Sequence, residues 1–325
     1  MTDTELPLIR DWANLTGADF AAMDRANTVA LVSCSPLEVH GPHLPVQTDY
    51  REAEAISERT AERLSERFPH LRFVRLPPLY VAADVVPQPG SVMFRTGTII
   101  RVLEDLGRSL AAQGFRHIWV GSFHGGPRHF VSIETACDRI SRRYGVTMIS
   151  IFSLLLNKLT GGQSDLSKVF AEVEGLDPAR LKGDTHAGAV ETSLMLHILG
   201  QHVAPSYRDL APITVASKLR AQGVASPDTD KRPSLIELLR SFPKKLKYYE
   251  DESYSGDPAI ATPEIGAQML EILAELAADT LADVWLGRIP HTECHSPIWP
   301  LRWIFTNEAV TRLFERAVDY KTQVF

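Results

Sequence analysis

Glu38, His40, His43 and Asp49 crowd into the stretch "PLEVHGPHLPVQTDY" (36–50), directly after the apolar run "TVALVSCS". Carboxylate and imidazole together are the ligand set for Zn²⁺, Mn²⁺ or Fe²⁺, with no soft thiolate here to narrow the choice. Glu38 and His40 stand two apart in an extended, proline-bounded segment, so both side chains leave the same side of the backbone. Asp49 lies at the entrance of the next helix. His124 sits in "SFHGG", at the end of a second buried strand, and the glycines after it let backbone approach a ligand without a Cβ in the way. His186 and Glu191 come from "HAGAVE", at another helix start. These groups are too many for one tetrahedral site. A carboxylate bridging two ions about 3.5–4 Å apart would use them all.

Each residue also has a plainer reading. Asp49 fits an N-cap, and "TDYRE" fits a capping box in which Glu52 answers Asp49. His43 is expected to hydrogen-bond its own loop. Glu191 could be a solvated helix residue, although Thr192, Ser193 and Leu194 beside it read as inward. His117, His129, His197 and His202 read as ordinary surface or core histidines. The joint placement of the others at the ends of successive strands is what points to a site.

The elements that must hold these residues can be traced along the chain. "TVALVSCS" (28–35), "RHIWVGSFHGG" (116–126) and "VTMISIF" (146–152) read as strands, and "LRFVRLPPLYV" (71–81) as a strand that leads into a loop at Pro77; the nearly continuous apolar runs are those of strands buried on both faces. Between them lie amphipathic stretches: "YREAEAISERTAERLSERF", "TIIRVLEDLGRSLAAQG", closed by Gly114, and "RHFVSIETACDRISRRYG", closed by Gly145. The alternation β-α-β-α-β-α-β predicts a mostly parallel sheet with helices on both faces, a three-layer αβα sandwich. In such sheets ligands bind beyond the carboxyl ends of the strands. "GDTHAGAVETSLMLHILG" (183–200) opens with small residues and becomes a helix. Val203 to Gly256, with "ASPDTDKRPS", "PKKLKYY" and "EDE", reads as an excursion from the same domain. A long helix follows, with Thr262 as N-cap and Pro263 in its first turn. The tail 290–325, with "SPIWPLRWIF", is aromatic and proline-rich. The expected organisation is therefore one domain over 1–325.

The 325 residues are 44% hydrophobic and 23% charged, with a net charge of −6, and the pI is near 6.0. That balance carries no basic footprint for nucleic acid. Cys34, Cys137 and Cys294 are far apart and form no CxxC pair, so neither a disulfide framework nor a zinc finger is expected. The start "MTDTELPLIRDW" has no apolar signal region, and no run is long enough to span a bilayer. The expectation is a cytoplasmic protein. Trp299, Trp303, Ile304 and Phe305 in the tail supply a motive for self-association, which would bury them.

"LEVHGPHLPVQTD", "GFRHIWVGSFHGG" and "HAGAVETSLML", in this order, resemble the creatininase (creatinine amidohydrolase) family, and "SGDPAIATPEIGAQML" is similar to its closing segment. The likeness covers about residues 28–200 and 254–286. It implies the αβα sandwich, two divalent metal ions, a hexamer, and hydrolysis of a cyclic amide or formamide by a hydroxide activated between the ions. By position Glu38, His40, Asp49 and His124 match metal ligands, with Asp49 as the bridge, and His186 matches a residue handling protons at the substrate. Creatininase supplies a glutamate ligand where this chain has Gly126; relatives with "HGG" point to Glu191 as the replacement. Gly125 and Lys182 stand where creatininase places aromatics against its flat substrate, and Pro127 where relatives have asparagine. These departures in the substrate pocket argue against creatinine and leave another small-molecule amide. A peptidase in peptide-cofactor maturation is the rival enzyme, and a metal-stabilised binding or assembly protein the rival outside catalysis.

The spacing of His186 and Glu191 carries its own expectation. On one regular helix, five residues apart, they would point about 140° from each other at 100° per residue. Both can face one pocket only if "THAG" is non-helical, with His186 on the loop and Glu191 held by the helix.

Overall fold

The computed structural model describes residues 7–160, 166–221, 243–244, 247–317, 319 and 324. Five strands form the sheet: β1 (Ile9–Asp11), β2 (Thr28–Ser33), β3 (Arg72–Arg75), β4 (His117–Gly121) and β5 (Thr147–Ser150). Their order is β1-β3-β2-β4-β5, and every pairing is parallel. The helices α1 (Gly17–Ala22), α2 (Thr48–Arg67), α3 (Thr96–Ala112) and α4 (Pro127–Tyr144) fall between successive strands of the chain, and α5 (Ile151–Thr160) follows the last.

Alternation along the strands sorts the two cores. Val29 and Leu31 of β2, Phe73 of β3, Trp119 of β4 and Ile149 of β5 pack with Ile56 and Leu64 of α2, Leu154 of α5, and Met269 and Leu273 of the long helix Pro263–Trp285. Ala30 and Val32, Val74, Ile118 and Val120, and Met148 point the other way, onto Ile99 and Leu103 of α3 and Ile133 and Ile140 of α4. One residue out of step would carry a whole strand's side chains to the opposite face. The result is the αβα sandwich expected from the sequence.

The strand beginning at Leu71 gives way to a loop at Pro77, as its sequence implies: regular pairing stops at Arg75, and only an isolated bridge joins Leu79 to Cys34. The three-residue edge strand β1 and the helix α5 were not anticipated. The excursion expected over 203–256 is described only at its two ends; 222–242 and 245–246 lie outside the described residues. Its base is closed where Ile213 bridges Gly256 and where Ser255 bridges His186. The aromatic tail folds back: helix Arg302–Thr306 contacts α4 and α3, although Trp303 remains 63% exposed. Among the described residues no helix is long and apolar enough to cross a membrane.

Candidate metal centre

β2 and β4 are neighbours in the sheet, yet the helices that follow them pack on opposite faces, α2 with one core and α4 with the other. Such a point leaves a crevice beyond the strand ends. The segment after β2 brings Glu38, His40 and Asp49 into it, and the segment after β4 brings His124. Three overlapping groups of ligand atoms result: Glu38, Asp49 and His124; His40, Asp49 and Glu191; and Glu38, His40 and His186.

Asp49 stands between the first two groups. Its Oδ1 lies 3.5 Å from His40 Nε2 and its Oδ2 3.9 Å from His124 Nδ1. His124 Nδ1 is 2.9 Å from Glu38 Oε2, and His40 Nε2 is 3.7 Å from Glu191 Oε2. The capping-box reading of "TDYRE" is overturned. Gln47, not Asp49, flanks the start of α2, no side chain caps it, and Asp49 is the helix's second residue with its carboxylate turned inward. Glu52 is also fully buried, and neither of its oxygens has a hydrogen-bond partner.

The outward atoms of these side chains are fixed by main chain. His124 Nε2 lies 3.0 Å from the Ala83 carbonyl and His40 Nδ1 3.0 Å from the Glu38 carbonyl. Each ring donates on that side, which turns its other nitrogen towards the centre, the orientation that a metal requires. Glu38 Oε1 accepts from Val86 N at 2.6 Å. The atoms facing inward are left over: Glu38 Oε2, His40 Nε2 and Asp49 Oδ2 are buried with no hydrogen-bond partner. Buried polar atoms are ordinarily satisfied, so an orphaned set converging on one carboxylate marks a place for cations.

Charge supports the same reading. Burial alone would lower the imidazoles of His40 and His124, but the surrounding carboxylates overcome it and push both up to about 10. Burial raises Glu38, yet His124 and the other imidazoles hold it well below the usual carboxylate range. Burial raises Asp49, and raises Glu191 to about 8. Without a cation the cluster therefore keeps protons on its imidazoles to balance its carboxylates. Divalent ions would replace those protons.

Glu191 reaches the cluster as the loop spacing required. The helix Ala189–Leu199 begins only after His186, with Ala187 at φ 47° and Gly188 extended. Glu191 Oε2 accepts from Ala187 N. Gly266 of the long helix lies so close that a Cβ there would come 1.9 Å from the Ser193 carbonyl. Gly126 is equally constrained: a Cβ would meet Asp84 Cβ at 2.5 Å and His124 Nε2 at 2.6 Å. No side chain fits at Gly126, so a glutamate ligand cannot come from that position. Gly125 is exposed with open space around it, and Lys182 is exposed four residues before His186.

His186 is 8% exposed, with its ring centroid 4.2 Å from that of His40 and its Nε2 2.9 Å from the Val39 carbonyl. Burial, then His40, push it down to about 3. Tyr249 from the excursion's far end packs edge-on to it at 5.5 Å and meets Thr185 Oγ1 at 3.0 Å. His43 does not bond its own loop: its Nε2 lies 2.8 Å from Thr192 Oγ1, on the helix carrying Glu191. His129, expected to be ordinary, is wholly buried behind His124 with its Nε2 3.1 Å from the Cys34 carbonyl. Asp84 and Arg128, which back the site, carry no local motif that would have singled them out.

The sequence model of the Creatininase (creatinine amidohydrolase) family matches residues 13–281. A mycofactocin precursor peptide peptidase of Mycobacterium ulcerans (strain Agy99) is 26% identical over 259 residues, 78% of this chain and 83% of that protein. The crystal structure of a putative creatinine amidohydrolase from Bacteroides fragilis NCTC 9343 matches with a TM-score of 0.56 and 22% identity, covering 86% of this chain and 97% of that one. A structure described as "Creatininase Mn" matches with a TM-score of 0.54 and 19% identity, covering 84% and 98%. With five-sixths of its length matched and its ligand atoms gathered at a strand-end crevice, the chain belongs to the creatininase family of hydrolases.

Proposed function

We propose that the protein hydrolyses an amide C–N bond at a two-metal centre. Glu38, Asp49 and His124 would hold one ion; His40, Asp49 and Glu191 would hold the other, so that Asp49 would serve both. The observation that carries this reading is the set of orphaned buried atoms facing the two oxygens of Asp49. Divalent ions held there supply a Lewis acid for a carbonyl oxygen and bring bound water into range of deprotonation near neutral pH. The ions would be manganese, zinc or iron, in keeping with a donor set of oxygen and nitrogen.

The chain's own residues supply the rest. His186 Nε2 donates to Val39 O, which leaves Nδ1 to take a proton and pass it to the leaving nitrogen. Burial and His40 keep this ring neutral at pH 7, as an acceptor must be. Tyr249, against His186, forms part of the wall that keeps bulk water from that ring. Glu191, the more exposed ligand at 12%, faces the opening.

Two substrate classes follow from two observations. Open space at Gly125 and exposed Val46, Tyr80 and Val92 suit an extended, partly apolar chain, and the relative from Mycobacterium ulcerans is named a peptidase. We place a short peptide first. A cyclic amide or formamide is second, favoured by the aromatic wall of Tyr248 and Tyr249 near His186. The metal-loaded protein should be offered short peptides, lactams, hydantoins and formamides in parallel. Turnover of peptides alone supports the first class and turnover of ring amides alone the second. A fully loaded protein that cleaves none of them favours a binding or assembly role.

A further inference from the structure

The ligands Glu38 and His124 share one support. Val86 N holds Glu38 Oε1 at 2.6 Å and Ala83 O holds His124 Nε2 at 3.0 Å, so the short segment 83–86 sets both. That segment bends through Asp84, a non-glycine residue at φ 62°. A residue in this conformation costs free energy and persists only where its surroundings over-determine it. Asp84 Oδ2 accepts from Arg128 N at 2.6 Å, and Asp84 Oδ1 pairs with Arg128 Nε. Arg128 Nη1 in turn pairs with Glu315 Oε1. The three side chains are 3%, 6% and 3% exposed.

Glu315 belongs to the helix Glu308–Ala317, beyond the residues that match the family. Val324, still later in the chain, packs against the cluster of Ala82, Val85 and Met93, of which Val85 lies in the bend. Two independent contacts from the C-terminal segment thus converge on the support of two ligands.

We infer that Glu315 is a positioning residue for the metal centre: through Arg128 and Asp84 it holds the bend 83–86, and so aims Glu38 and His124. Removing the Glu315 charge leaves Arg128 buried with one partner instead of two, and Arg128 then has less hold on Asp84. The effect should be one-sided. His40 and Glu191 take their outer bonds from Glu38 O and Ala187 N, neither of which lies in the bend.

The inference rests on the proposed two-metal site, and the test separates the two. The full chain and its Glu315→Gln and Glu315→Asp variants are loaded with Zn²⁺ alone, and release to a chelator is followed in time. In Glu315→Gln one of two zinc ions should leave at least tenfold faster and the other at the wild-type rate. Glu315→Asp, which keeps the charge, should fall between. A Glu315→Gln/Asp84→Asn double variant should release that ion less fast than the product of the single effects, because both cut one chain of contacts. Unchanged release from a folded Glu315→Gln protein overturns the inference while leaving the metal site intact. Equal acceleration of both ions also overturns it, since that is general loosening. If Glu315→Gln does not fold, Glu315→Asp decides by the same one-sided criterion. A wild-type chain that takes up no zinc removes the metal site, and the inference with it.

Discussion

The two halves of the cluster are built on different supports. The Glu38–His124 half is nearly sealed, with side chains 1% and 5% exposed, and its outer atoms are bonded to the main chain of the 83–86 bend. The His40–Glu191 half pairs a wholly buried histidine with a glutamate that is 12% exposed. Glu191 is carried by a short helix that is fixed from outside, by Gly266 against Ser193 and by His43 against Thr192. Ligands fixed by packing and outer bonds hold an ion more tightly than ligands free to turn. The sealed half should therefore be the slow-exchanging site and the open half the one that meets substrate.

Asp49 belongs to both halves, so its loss should have the largest effect. Asp49→Ala is expected to lower bound metal from two equivalents towards none and to abolish turnover, as metal analysis of the purified variant would show. One fully retained ion would mean that Asp49 is not the bridge. Single-half variants should split next. His124→Ala should lose the slow ion, and Glu191→Ala only the fast one. The reverse pattern would invert the comparison.

The strand-end residues of the cluster were readable because the fold is. Glu38, His40 and His124 each follow a buried apolar strand by a few residues, and parallel strands send such residues to one edge. The Asp49–Glu52 spacing left two readings open for a physical reason: a capping box and a buried carboxylate pair share the same residue types and spacing, and only burial tells them apart. Nothing local marked Asp84, Arg128 or Glu315. Arg128 and Glu315 are 187 positions apart, and their pairing depends on where the tail folds back. Trp299 and Phe305 of the tail are half-buried. Trp303 and Leu313 stay exposed at 63% and 71%. The expected oligomer would bury such residues, and light scattering at micromolar concentration that gives the 36.1 kDa of one chain would exclude it.

Proton release tests the charge balance of both halves. His40 and His124 are pushed up to about 10 by the carboxylates around them, against the effect of burial, so the metal-free site is protonated at pH 7. A raised pKa means that the protons leave only as pH rises through about 10 or when a cation displaces them. Metal affinity should accordingly rise with pH across the range below 10. Uptake at pH 7 should release one proton from each imidazole and part of one from Glu191, which sits near 8. Calorimetry in buffers of different ionisation enthalpy counts them. Uptake without proton release would mean that the imidazoles are already neutral and that the charge balance is held differently.

His186 should leave both halves intact. Its Nε2 is spent on Val39 O, and the closeness of its ring to His40 makes a role as a ligand the competing one. His186→Ala should keep both metals and lose about 10²–10⁴ in kcat, the worth of a general acid or base. A metal-depleted variant would make it a ligand of the Glu38–His40 side instead.

The smallest effect should come from His43. Its ring is buried, pushed down to about 4 by burial and by His40, and bonded to Thr192 rather than turned into the cluster. His43→Ala removes a buried hydrogen bond and leaves Thr192 Oγ1 without that partner, a loss of about 1–3 kcal/mol in stability. Because Thr192 adjoins Glu191 on the same helix, the strain falls on the open half alone. The fast ion should leave less than tenfold faster, the slow ion should not change, and stoichiometry should remain two. Thr192→Val, which cuts the same bond from the other end, should match it. Loss of a whole equivalent in His43→Ala but not in Thr192→Val would make His43 itself a ligand, and the support of the open half would then have to be drawn again from Gly266 and Ser193.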